Sequence, residues 1–187
     1  MARLSPVPAE QAAPILGPDA PLNLRIWANR PELATAFLAF TGAVFGTERI
    51  LPDRLHELAR LRIAFHNQCR SCMAVRYVPE QEVPEALVCS LEKPEESGDL
   101  TDAERLVLEY ADRLATDHLS IDDAFYDRLR EYFTEPEIVE IGVNMAVCVG
   151  FGRLEATWDM VDELPERFTE RDVVITPWGE GGVIRTA

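Results

Sequence analysis

No apolar run in this sequence approaches the ~18 residues that a membrane-crossing helix needs. Its first thirty residues hold no continuous apolar stretch either, so they do not read as a secretory leader, and cytoplasmic residence is the expectation. Positive charge is scarce: 18 Lys and Arg stand against 33 Asp and Glu, a formal net charge of −15. Phosphate contacts need clustered cations, so that balance argues against a nucleic-acid partner. Cysteine is sparse too. Four cysteines are too few for a disulfide scaffold, and the cytoplasm would reduce one. A Gly-rich phosphate loop, an internal repeat, a low-complexity tract and any strand-period segment before residue 173 are all missing, which removes the sheet-based nucleotide-binding folds.

What is present is a chain of 187 residues, 47% hydrophobic and 27% charged, which suits one folded domain with a tail. Residues 1–30 carry Pro6, Pro8, Pro14, Pro18 and Pro21 without sustained periodicity, and read as an arm over the body or over a neighbouring subunit. Helical patterns fill residues 31–172. One starts at Pro31, with Gly46 as its stop. A second starts near Pro52 and Asp53 and shows Leu55, Leu58, Leu61, Ile63 and Phe65, until His66-Asn67-Gln68 interrupts it. Thr101 with Glu104, and Thr134 with Glu137, have capping-box spacing. The segment from Ile138 to Phe151 is almost wholly apolar, which points to the core or to a subunit interface. Residues 173–187 read as an irregular tail. The fold class is all-α, a bundle of about six to eight helices.

The chemistry gathers between residues 57 and 76. From Arg54 to Arg76 there are five Arg and one Glu, whereas Glu80 to Glu104 holds nine acidic residues and one Lys. Cys69 and Cys72 lie inside the basic island, at the i, i+3 spacing that shares one helical face. With Asn67 as the cap of a new helix, both thiols would sit in its first turns, where free N–H groups favour a thiolate. Arg70 and Arg76 would add to that effect. Glu57 could relay a proton from a thiol or a bound water, and His66 could titrate near neutral pH or simply cap the break. Cys89 and Cys148 read as small buried hydrophobes, and His56 and His118 as unremarkable. A structural zinc finds no second CxxC and no close Cys-His pair, so no metal and no cofactor is expected. A thioredoxin fold lacks its βαβ setting. An unreactive pair in an ordinary helix stays open.

The run Glu57-Leu-Ala-Arg-Leu-Arg-Ile-Ala-Phe-His-Asn-Gln-Cys69-Arg-Ser-Cys72 resembles the carboxymuconolactone decarboxylase superfamily, in particular its alkylhydroperoxidase D-like branch. That pattern has a Glu, an apolar helical stretch, CxxC twelve residues on, and a His four residues after the second Cys. The first three parts match, and Arg76 stands where the His would be. The resemblance implies an all-α fold over about residues 30–160. It implies that Cys72 attacks a peroxide, that Cys69 resolves the sulfenic acid as a disulfide, and that Glu57 belongs to a proton relay. Arginine cannot shuttle a proton but can stabilise a thiolate, and His66 is the candidate substitute.

The expected function is therefore a thiol-dependent oxidoreductase acting on a hydroperoxide or a disulfide, with a thiol electron donor. The resemblance also implies a homo-oligomer, a trimer or hexamer, with a dimer as the further option. The alternatives are a non-catalytic or redox-sensing oligomer, and a decarboxylase-like enzyme using the same helical pocket.

Overall fold

The computed structural model describes residues 2–179 and 181–186. Met1 of the expected arm, and Glu180 and Ala187 of the expected tail, lie outside them. Among the described residues the α-helices are, in chain order, α1 (Ala9–Leu16), α2 (Leu22–Trp27), α3 (Pro31–Phe45), α4 (Asp53–Asn67) and α5 (Arg70–Ala74). After strand β1 (Val75–Arg76) come α6 (Glu85–Cys89), α7 (Asp102–Thr116), α8 (Asp123–Arg130), α9 (Glu135–Ala156) and strand β2 (Ile184–Arg185).

Helix α4 is the centre, packed between α7 and α9. Leu55, Ala59 and Ile63, spaced by four, face Leu106, Tyr110, Phe125, Ile141 and Met145. On the other side Leu58 and Leu61 meet Val78, Leu87, Leu91, Leu108 and Trp178. Nine of its fifteen residues are buried, among them His56, Glu57 and Arg60. A helix covered all round must satisfy its charges inside the protein, because an unpaired buried charge costs several kcal/mol. Each one is met. Glu57 pairs with Arg60, and Arg54 with Glu104. Asp112 receives both Arg62 and His66. His56 Nε2 lies 2.9 Å from Glu140 on α9, whose carboxylate also accepts the N–H groups of Ile50 and Leu51 and so pins the α3–α4 loop.

Helix boundaries follow local chemistry. Both capping boxes, Thr101 with Glu104 and Thr134 with Glu137, are formed, and Asp122 caps α8. Helix α3 opens on Pro31 and stops at Gly46.

The structure corrects several expectations. Residues 31–172 hold seven helices, α3 to α9, but the Pro-rich arm adds α1 and α2, giving nine among the described residues. At eight and six residues these two are too short to leave a periodic signal, and packing holds them. Ala12 and Ile26 are buried, and Trp27 stacks on Phe37 at 4.5 Å with Phe151 and Trp158 edge-on. The tail is not wholly irregular, since β2 pairs in parallel with β1 and Trp178 enters the core. Two-residue strands are too short to show alternation. Cys89 is exposed, because α6 turns its neighbours Leu87 and Val88 inward.

Candidate redox site

The site forms where α4 ends. Gln68 adopts the left-handed conformation (φ 50°, ψ 35°), which stops the helix and reverses the chain. The tail locks that turn: Gln68 Nε2 donates to the Ile175 carbonyl, and Ile175 N–H donates back to Gln68 Oε1. Asn67 does not cap α5. It is the last residue of α4, drawn toward α9 by a 2.7 Å bond from its Nδ2 to the Cys148 carbonyl and a 3.0 Å bond from Arg153 to its Oδ1.

The cap of α5 is Cys69, whose sulfur accepts the Cys72 N–H at 3.4 Å. The two cysteines are joined as a disulfide, with Cα atoms 5.2 Å apart, in agreement with the expectation that their sulfurs come within bonding reach. Their surroundings differ. Cys69 is 0% exposed, whereas Cys72 is half-buried. Ser71 Oγ lies 3.5 Å from Cys69 Sγ, and because a bonded sulfur has no proton, the hydroxyl is the donor. Cys72 faces α9 at Gly152, where an added Cβ would stand 3.9 Å from Cys72 Sγ and 2.8 Å from Asn67 Nδ2. Glycine leaves room there for the Asn67 amide, which any side chain would have to displace.

Glu57 is buried on α4. Its carboxylate takes both arms of Arg60, at 2.9 and 2.7 Å, and the Tyr77 N–H. Arg60 in turn donates to the carbonyls of Cys72 and Val75, each at 2.7 Å. Burial works against the Arg60 charge, but the Glu57 carboxylate outweighs it and holds the guanidinium above its ordinary value. Glu57 thus reaches the cysteine pair through Arg60 and the backbone, not through a sulfur.

The other predicted residues lie elsewhere. Arg76 is fully buried, and its five N–H groups are engaged by Glu85, twice, and by the carbonyls of Met73, Val75 and Pro177. Arg70 donates to the carbonyls of Glu170 and Val173. His66 bonds Asp112 at 2.6 Å in the α4–α7 contact. The basic island is thus largely consumed by carboxylates and carbonyls. Cys148 on α9 is electrostatically coupled to Arg60 and Glu57, and burial pushes its thiol up to about 12, so it stays protonated at neutral pH.

Sequence reasoning missed Arg60, Ser71, Gly152 and Glu155. The available signal was the spacing of Cys148, Gly152 and Glu155 at i, i+4 and i+7, which marks one face of α9. Among the described residues no group of three or more His, Cys, Asp or Glu could hold a metal ion. Likewise none of the described helices is long and apolar enough to cross a membrane.

No family model and no curated protein matches this sequence. Solved structures resemble it in fold, two of them as follows. One is an uncharacterized peroxidase-related protein from Silicibacter sp. TM1040, 19% identical, covering 81% of this chain and 80% of its own, with a TM-score of 0.63. The other is a cysteine-to-alanine form of the debrominase Bmp8 in complex with 2,3,4-tribromopyrrole. It is 20% identical, covers 84% of this chain and 89% of its own, and has the same TM-score of 0.63. The nine α-helices among the described residues, with α4 at the centre and a bonded CxxC pair at its end, form an all-α fold that the chain shares with both structures, in agreement with the expected alkylhydroperoxidase D-like bundle.

Proposed function

We propose that the chain is a thiol–disulfide oxidoreductase that works through Cys69 and Cys72. The asymmetry of the pair carries the reading: one sulfur is sealed and supplied with two donors, while its bonded partner is half-open. An incoming group can reach only Cys72. Cys69 is placed to leave, and to return, as a thiolate held by the Cys72 N–H and the Ser71 hydroxyl. With a hydroperoxide, the Cys72 thiolate takes the terminal oxygen and releases an alcohol. Cys69 then displaces water from the sulfenic acid, so that ROOH and two thiols give ROH, water and the disulfide. A dithiol donor restores both thiols. Glu57 serves by fixing Arg60 against the Cys72 and Val75 carbonyls, which sets the position of α5. Arg76 serves as a buried tie, and His66 as a half-buried one to Asp112. Peroxidase-related and debrominase structures of the same fold support testing a hydroperoxide, a disulfide and a brominated pyrrole as oxidants.

Thiol titration of the reduced protein with each oxidant tests this. Two thiols per chain are expected to disappear and return with a dithiol. Cys72→Ser abolishes turnover, and Cys69→Ser stops after one reaction with Cys72 as the sulfenic acid. Full activity in Cys72→Ser toward every oxidant would refute the reading and leave a non-catalytic scaffold.

A further inference from the structure

Opening the disulfide at Cys72 releases Cys69 as a thiolate into a site with no solvent-exposed surface, and a buried thiolate calls for a proton. Neither predicted carrier supplies it. The Glu57 carboxylate is held by Arg60, and His66 is bonded to Asp112 in the α4–α7 contact.

We propose that Glu155 is the proton donor for Cys69, acting through Ser71 and one water in the cleft between α5 and the end of α9. Glu155 stands one turn beyond Gly152, on the face of α9 that packs against Cys72. With Gln68, Arg70 and Ser71 it lines a cleft whose space, about 20 Å³, suits a single water. Ser71 borders the cleft and lies 3.5 Å from Cys69 Sγ, so it links the two. Glu155 is 8% exposed and is held by neutral groups from α2: Trp27 Nε1 at 3.0 Å, and Asn23 Nδ2 at 3.4 Å from each oxygen. No ion pair is formed by Glu155 among the described residues. Burial pushes its carboxyl above the usual range, against the pull of the Trp27 and Asn23 hydrogen bonds. The charged groups around it are Arg70 and Asp159, which border the cleft, and Tyr77, which feels its charge.

The step rests on the dithiol reading. A thiolate of a dithiol reductant bonds to Cys72 Sγ; the Cys69–Cys72 bond breaks, and its electron pair leaves on Cys69. Ser71 gives its hydroxyl proton to Cys69 and takes one from the water, which takes one from Glu155. The reductant's second thiolate then attacks its own sulfur in the mixed disulfide and frees Cys72 as a thiolate. The two protons lost by the reductant return through solvent to Glu155 and Cys72.

The test is single-turnover reduction of the oxidised full-length protein by dithiothreitol, between about pH 5 and pH 9 at constant thiolate concentration. The wild-type rate should fall as pH rises through the Glu155 value. Glu155→Gln should lose that limb and run roughly tenfold slower at low pH, short of the usual ~10² because thiolate is already a fair leaving group. Glu155→Asp should retain the limb. Ser71→Ala should lose it with Glu155 intact, which decides the matter if Glu155→Gln does not fold. Wild-type profiles in both Glu155→Gln and Ser71→Ala would overturn the proposal. A wild-type disulfide that dithiothreitol cannot open through Cys72 would instead overturn the dithiol reading beneath it.

Discussion

Removing the Arg60 guanidinium would leave a buried carboxylate on Glu57 and two carbonyls, of Cys72 and Val75, without their donor. Breaking a buried pair from one side costs about 3–5 kcal/mol, so Arg60→Ala should lower the urea midpoint by that equivalent. Arg60→Lys should recover little, since an ammonium cannot hold Glu57 with two parallel bonds and also reach both carbonyls. A midpoint within about 1 kcal/mol of wild type for Arg60→Ala would contradict this account of the ion pair. Arg60 is the residue that sequence reasoning passed over for Arg70 and Arg76. Counting charges along the chain marks a basic island, but it does not say which arginine turns inward.

At the scale of an element, α9 is the instructive helix. Gly152→Ala should favour the helix by about 1 kcal/mol. The new Cβ, 2.8 Å from Asn67 Nδ2, should push that amide off the Cys148 carbonyl and cost about as much. The expectation is a near-neutral midpoint in denaturant with slower reaction at Cys72, whose sulfur borders the same atom. Unchanged kinetics would show that Gly152 serves packing alone. Strand β1 yields the opposite balance. Arg76→Ala should destabilise by about 3 kcal/mol, because Glu85 and the Pro177 carbonyl lose a fully buried partner. The alkylation rate of Cys72 in the folded fraction should change little, and a marked slowing would return Arg76 to the thiol site.

For the whole molecule, two buried groups set opposite pH trends. Burial, against the pull of Glu140, holds His56 below its ordinary 6.5, with Nδ1 buried and unpartnered. The unfolded chain therefore binds that proton more readily, and stability is lost as pH falls below about 6.5. Glu155 is raised from 4.5, so the folded state keeps its proton longer, and stability falls as pH climbs from about 4.5 through the raised value. Denaturant titration across pH should show Glu155→Gln gaining on wild type over that window, by up to about 1.4 kcal/mol per unit. A constant difference at all pH would refute it. The molecule also leaves an apolar surface open. Val139, Val143, Ala146, Gly150 and Leu154 form a stripe along α9, and Leu33 and Phe40 project from the adjoining α3. We propose that a second copy of the chain covers it. Light scattering should then give a multiple of the 21.0 kDa chain, a trimer or hexamer or else a dimer, and a monomer at micromolar concentration would sink the idea.

Local signals were legible from the residues alone, since each is written within a few positions: the two capping boxes, the Pro31 and Gly46 boundaries, the apolar faces of α4 and α7, and the i, i+3 cysteines. The all-α class followed from 3.6-residue periodicity, which any long amphipathic helix must display. Pairings across 50 to 100 residues leave no such trace, and only the folded chain decided them. It chose Cys69 over Asn67 as the cap, because Asn67 is pulled to Cys148. It turned Arg54 to Glu104 and Arg76 to the Pro177 carbonyl, and it brought Glu155 of α9 to the cleft beside Ser71. A charge buried in the core must find its partner wherever packing places one, and packing is settled by the whole fold.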